Sequence, residues 1–177
     1  MTWILLRSGH PFDLQNPTPE MIRPVDLAYA LARICRFNGH TREHYSVAQH
    51  SIHVAELVPP EHQLVALLHD AAEAYIGDLA SPLKAMLPDY QAIEARIWSV
   101  ICARFRIPEE LPDCVKHADL VMLATERRDV MPMGGGPWDC LRNIEPRADT
   151  IIPMDVVTAR SAYLNLLLDE LVKRDAA

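Results

Sequence analysis

The run Leu64-Val65-Ala66-Leu67-Leu68-His69-Asp70-Ala71-Ala72-Glu73-Ala74-Tyr75 has the make-up of a core helix, yet it carries three ionisable side chains. Residues three and four apart share a helix face, so His69, Asp70 and Glu73 converge on one side. Burying such groups is costly unless a partner neutralises them. One buried histidine is commonly a satisfied core residue. Three ionisable groups together, two of them carboxylates that repel, are harder to reconcile with packing alone. A metal ion is one partner that resolves the conflict, because imidazole and carboxylate are both metal ligands. The fold must therefore bury this segment and bring it further ligands.

The rest of the chain reads as helices separated by proline and glycine. Residues 1–23 are expected to be irregular, with Pro11, Pro17 and Pro19. Pro24 suits a first helical turn with Asp26 near its positive end, and Leu27, Ala30, Leu31, Ile34 and Cys35 follow at helical spacing before Asn38-Gly39 stops it. A second helix is predicted from about Ser46 to Pro59-Pro60, and a third from about Glu61 to Tyr75, ended by Gly77. Asp78 to Pro82 reads as a loop. Pro88 and Asp89 open a fourth helix, and Pro108 and Pro112 precede a fifth with Val115, Ala118, Met122 and Thr125 on one side. Glu126-Arg127-Arg128-Asp129 reads as a solvated face. Pro132 to Pro153, with Gly134-Gly135-Gly136-Pro137, is the least regular stretch, and Asp155 begins the last helix. No alternating run argues for a sheet. The expectation is all-α: one compact domain over residues 1–177, a bundle of about six or seven helices.

Composition narrows the function. The 177 residues are 50% hydrophobic, enough for one substantial core. A net charge of −7 argues against a nucleic-acid polymer as partner, since duplex binding by phosphate neutralisation calls for a basic surface. None of Cys35, Cys102, Cys114 and Cys140 is paired at C-x-x-C spacing, so free thiols are expected. Met1 to Leu6 is too short for a signal-peptide core, and no stretch approaches a membrane span. A cytoplasmic protein without a membrane partner is the expectation.

Two more residues answer the demand for ligands. His50 lies between Val47 and Val54 in the second helix, and Asp119 lies among Ala118, Leu120 and Val121 in the fifth. With His69 and Asp70 they make two imidazoles and two carboxylates, a set suited to Mn, Fe, Co, Zn or Ni more than to Ca.

The order His50 … His69-Asp70 … Asp119 resembles the signature of the HD-domain metal-dependent phosphohydrolases. Further blocks are similar to the 5′-deoxynucleotidase branch, including compact phage-type dATP triphosphohydrolases: Arg36-Phe37-Asn38-Gly39-His40, Tyr45 to Ser51, His69 to Glu73, Gly77 to Lys84 and Ala118-Asp119. Together they span roughly residues 20–130. The resemblance implies an HD-domain helical bundle with His50, His69, Asp70 and Asp119 as ligands of a divalent transition metal. It implies Glu73 as catalytic acid or base, Asp78 as a second catalytic carboxylate and Arg36 as a phosphate-binding arginine. Phe37 stands where relatives often carry Trp. Phe37, Pro82 and Lys84 are expected to contact substrate, with Lys84 as a point charge for a longer phosphate tail. The implied activity is hydrolysis of a deoxynucleoside 5′-monophosphate to nucleoside and phosphate. The alternatives are release of tripolyphosphate from a triphosphate, with additional Mg or Mn, and a catalytically silent nucleotide-binding regulator. Family members often dimerise, so a homo-oligomer is expected.

Overall fold

Prolines and short polar side chains set the helix starts in the computed structural model, which describes residues 1–176. A small hairpin, β1 (Trp3–Leu5) and β2 (Pro11–Asp13), comes first. Then follow α1 (Pro24–Leu31), α2 (Val47–Glu56), α3 (Gln63–Leu68), α4 (Glu73–Ile76), α5 (Ser81–Lys84), α6 (Pro88–Phe105), α7 (Asp113–Asp129) and α8 (Val156–Ala176). If α3 and α4 are taken as the one helix the sequence predicts, seven helices are present among the described residues. Pro24 and Pro88 take first-turn positions, where a missing N–H costs nothing. Ser46 caps α2 by accepting from the Gln49 N–H at 3.2 Å. Asp155 caps α8 by accepting from the Val157 and Thr158 N–H groups.

Helix α2 is central, packed against α3, α7 and α8, while α8 also covers α1. Leu27, Leu31, Val47, Val54, Leu67, Leu68, Met122, Tyr163 and Leu167 meet in the continuous core. The Tyr163 hydroxyl donates to the Leu67 carbonyl at 3.1 Å, which gives α8 a polar tie to α3. No helix among the described residues is long and apolar enough to cross a membrane.

Three local expectations need correction. Residues 1–23 contain an antiparallel hairpin that pairs Ile4 with Phe12, too short to show an alternating pattern. Its anchor is Phe12, fully buried and stacked on Tyr75 at 3.8 Å between ring centroids. Ser81 and Pro82 belong to a short helix rather than a loop, because Pro82 fits a first turn. The predicted helix over 61–75 is broken at 69–72. There Ala71 bonds back to Leu68, and Glu73 to Asp70, each three residues earlier. This is the tighter winding of a 3-10 turn, which often marks a functional site when it interrupts a helix. The Ala66 carbonyl, which an unbroken helix assigns to the Asp70 N–H, accepts the His69 Nδ1–H at 2.7 Å.

Candidate metal centre

Four segments deliver side chains to one place. His50 comes from α2, His69 and Asp70 from the tightened turn between α3 and α4, and Asp119 from α7. Arg36 comes from the turn Arg36–Gly39 that follows α1. That turn is strained, with Phe37 and Asn38 both left-handed at φ 54° and 52°. The strain turns the chain sharply back, and the Arg36 N–H pairs with the Tyr45 carbonyl at 3.0 Å.

The two ring nitrogens, His50 Nε2 and His69 Nε2, face each other at 3.3 Å. Asp70 Oδ2 lies 3.1 Å from His69 Nε2 and 3.5 Å from His50 Nε2. Asp119 Oδ1 lies 3.2 Å from His50 Nε2 and 4.0 Å from His69 Nε2. His50, His69 and Asp119 offer ligand atoms all within 4.8 Å of one another, so the group could hold a metal ion. Arg36 NH1 approaches Asp70 Oδ2 at 3.5 Å.

The donor set fits a cation by the partners of its outer atoms. His69 Nδ1 is taken by the Ala66 carbonyl and His50 Nδ1 by Glu126 Oε1 at 2.6 Å. Each Nδ1 therefore carries the proton, and each Nε2 is turned toward the cluster as a potential ligand. Only one proton fits between the two facing nitrogens. Burial and Arg36 push His50 down, but Glu126 and Asp119 outweigh them and lift it to about 9. His69 is also raised, as Asp70 outweighs burial. Against their own burial, His69 holds Asp70 below the usual carboxylate range, and His50 does the same for Asp119.

A hollow of about 490 Å³ opens beside the cluster. Every predicted site residue except the two histidines lines it: Arg36, Phe37, Asp70, Glu73, Asp78, Pro82, Lys84 and Asp119. The Glu73 carboxyl is buried, and its Oε2 makes no hydrogen bond. Burial first, then Asp70 and Asp78, push its pKa well up. Asp78 is raised too, mainly by burial. Lys84 lines the hollow but donates to Glu94 Oε1 at 2.7 Å, so its charge is already paired across α5 and α6. Trp138, from the glycine-rich segment, lies 6.1 Å from Phe37 between ring centroids and adds an aromatic wall.

Glu126 is a correction. It is fully buried and does not lie on a solvated face. Its Oε2 accepts from Arg36 Nε at 3.1 Å and pairs with NH2 at 3.1 Å. A signal was present, because Glu126 follows Met122 by four residues and Asp119 by seven, which continues the buried face of α7. The charged letters beside it hid that signal.

No family model matches the chain. The protein is 44% identical over 144 residues to "Uncharacterized protein YfdR" of Escherichia coli, an alignment covering 81% of each chain. The chain belongs to the YfdR family. "Uncharacterized protein RCAP_rcc00048" of Rhodobacter capsulatus is 38% identical over 126 residues, 66% of this chain and 64% of that relative. Neither relative's name gives a ligand or an activity.

Proposed function

We propose that this YfdR-family protein is an HD-type, divalent-metal-dependent phosphohydrolase that hydrolyses deoxynucleoside 5′-monophosphates to nucleoside and phosphate. The observation that carries the reading is convergence. Asp70 and Asp119 each place a carboxylate oxygen within 4.0 Å of both Nε2 atoms, an arginine edge faces them, and a buried carboxyl lines the adjoining hollow.

His50, His69, Asp70 and Asp119 would hold the ion. When bound, a divalent ion of the Mn, Fe, Co, Ni or Zn type supplies Lewis acidity, drawing charge from phosphoryl oxygens and acidifying water near neutral pH. Arg36 has Nε and NH2 committed to Glu126, which leaves NH1 to hold a phosphoryl oxygen beside the cluster. Burial, Asp70 and Asp78 push the Glu73 carboxyl up and favour its proton, and its Oε2 is without a hydrogen bond. In this reading Glu73 gives that proton to the leaving sugar oxygen, and Asp78, which also lines the hollow, is a second carboxyl. Phe37, Pro82 and Trp138 offer apolar walls for the nucleoside.

Lys84 is bonded to Glu94 at 2.7 Å while Arg36 NH1 stands beside the cluster, and we take this difference as support for one phosphate over three. A panel of deoxynucleoside mono- and triphosphates against Mn²⁺, Co²⁺, Zn²⁺ and Mg²⁺, read by ³¹P NMR, tests this. Metal-stripped protein should be inactive, and Mn²⁺ or Co²⁺ should restore release of inorganic phosphate. His69→Ala should lower kcat/KM by about 100-fold or more. Tripolyphosphate as the product would replace the monophosphate reading. Full activity of His69→Ala, or no turnover of any nucleotide, would sink the phosphohydrolase.

A further inference from the structure

We infer that Glu126 is a positioning residue that sets the metal-binding and phosphate-binding arms of the site together, so that its loss weakens both. This role rests on the phosphohydrolase reading above for its meaning, though its test needs no turnover.

The carboxylate divides its two oxygens. Oε1 accepts from His50 Nδ1 at 2.6 Å, and Oε2 takes Arg36 through Nε and NH2, each at 3.1 Å. The atoms left over are the two that face the cluster. His50 Nε2 and Arg36 NH1 each stand 3.5 Å from the same atom, Asp70 Oδ2. One group with no exposed surface therefore aims a ligand nitrogen and a phosphate-binding edge at one point. It does so from α7, the helix that also delivers Asp119 two turns earlier. Among the described residues, no other side chain bonds His50 Nδ1 or Arg36 Nε.

An amide in place of this carboxylate offers one acceptor and one donor face. If the amide oxygen serves Arg36, the amide N–H groups face His50 Nδ1. The ring is then satisfied only by moving its proton to Nε2, the atom needed as ligand. If the oxygen serves His50, the amide N–H groups oppose the guanidinium. Either orientation disables one arm and loosens the charge balance of the other. Outer-sphere partners of ligand histidines typically change metal affinity by about 10–100-fold.

The test is calorimetric, on full-length protein checked for helix content by circular dichroism. Glu126→Gln and Glu126→Asp are titrated with Mn²⁺ alone and, at saturating Mn²⁺, with inorganic phosphate. Glu126→Gln should bind Mn²⁺ about 10–100-fold more weakly and should also lose phosphate affinity, with Glu126→Asp recovering part of both. Arg36→Gln should lose phosphate affinity, and adding Glu126→Gln to it should cost no further phosphate affinity, since Glu126 acts there through Arg36. Mn²⁺ affinity of folded Glu126→Gln within about twofold of the parent would overturn the assignment, given the usual size of such effects. So would additive losses in the double variant. If Glu126→Gln does not fold, Glu126→Asp decides alone: a smaller loss in both affinities supports the role, and no change in either overturns it. A negative nucleotide panel leaves these titrations readable, so the two claims fail separately.

Discussion

Burial, Asp70 and Asp78 all favour a proton on Glu73, and the smaller opposing effects of Arg36 and Lys84 do not reverse them. A carboxyl raised in this way binds its proton more tightly folded than unfolded. Stability is therefore lost as pH rises from the unfolded carboxyl range, about 4.3, toward the raised folded value. Glu73→Gln keeps the shape and removes that titration. Metal-free Glu73→Gln should resist urea better than the parent at pH 7–8, with the advantage shrinking toward pH 4, while kcat falls by about 10²–10⁴-fold. A variant that is less stable at pH 8 would contradict a protonated Glu73. At this scale the site was readable wherever a polar residue interrupted an apolar helical pattern, as at His50, His69 and Asp119. Glu126 was hidden because its neighbours Arg127, Arg128 and Asp129 give the local pattern of a wet surface. The engagement of Lys84 by Glu94 depends on how α5 turns into α6, which no pattern in either segment encodes.

Element boundaries do chemical work at Gly77. It ends α4 at φ 82° and ψ 161°, a conformation open in practice only to glycine, and it sends the chain on to Asp78. An added Cβ would touch nothing within 4 Å, so the cost of Gly77→Ala is one of backbone alone. We expect a loss of about 1–3 kcal/mol in chemical denaturation, with weaker catalysis as Asp78 is redirected. Unchanged stability would show that the turn relaxes freely. The sequence marked Gly77 as a stop and the long helices by their apolar period. It did not reveal the tightened winding at 69–72, where the His69 ring takes the Ala66 carbonyl. It also missed the hairpin, whose strands are held by the burial of Phe12 rather than by any repeat of their own.

Across the whole molecule, the candidate ligands come from α2, the α3–α4 turn and α7, so an ion held there ties together parts of the chain far apart in sequence. Binding to the folded chain alone adds about 2.7 kcal/mol when the free metal is 100-fold above its Kd. Mn²⁺ at that excess should raise the melting temperature and EDTA should reverse the gain, followed by circular dichroism. A melting temperature indifferent to both would argue against a site made by these three segments. Much of this architecture was legible: six or seven helices and one core were expected, and the helix starts at Pro24, Ser46, Pro88 and Asp155 were all marked by their capping or first-turn residues. The convergence itself was legible only as a requirement for neutralising partners. Its distances depend on packing that no single helix contains.

The stacked rings of Phe12 and Tyr75 join the N-terminal hairpin to the helix that carries Glu73. Tyr75 is two residues from Glu73 in the same short helix. The hairpin's one fully buried side chain therefore shares a short helix with the buried carboxyl, so the packing of the chain's start and the shape of the hollow rest on the same element.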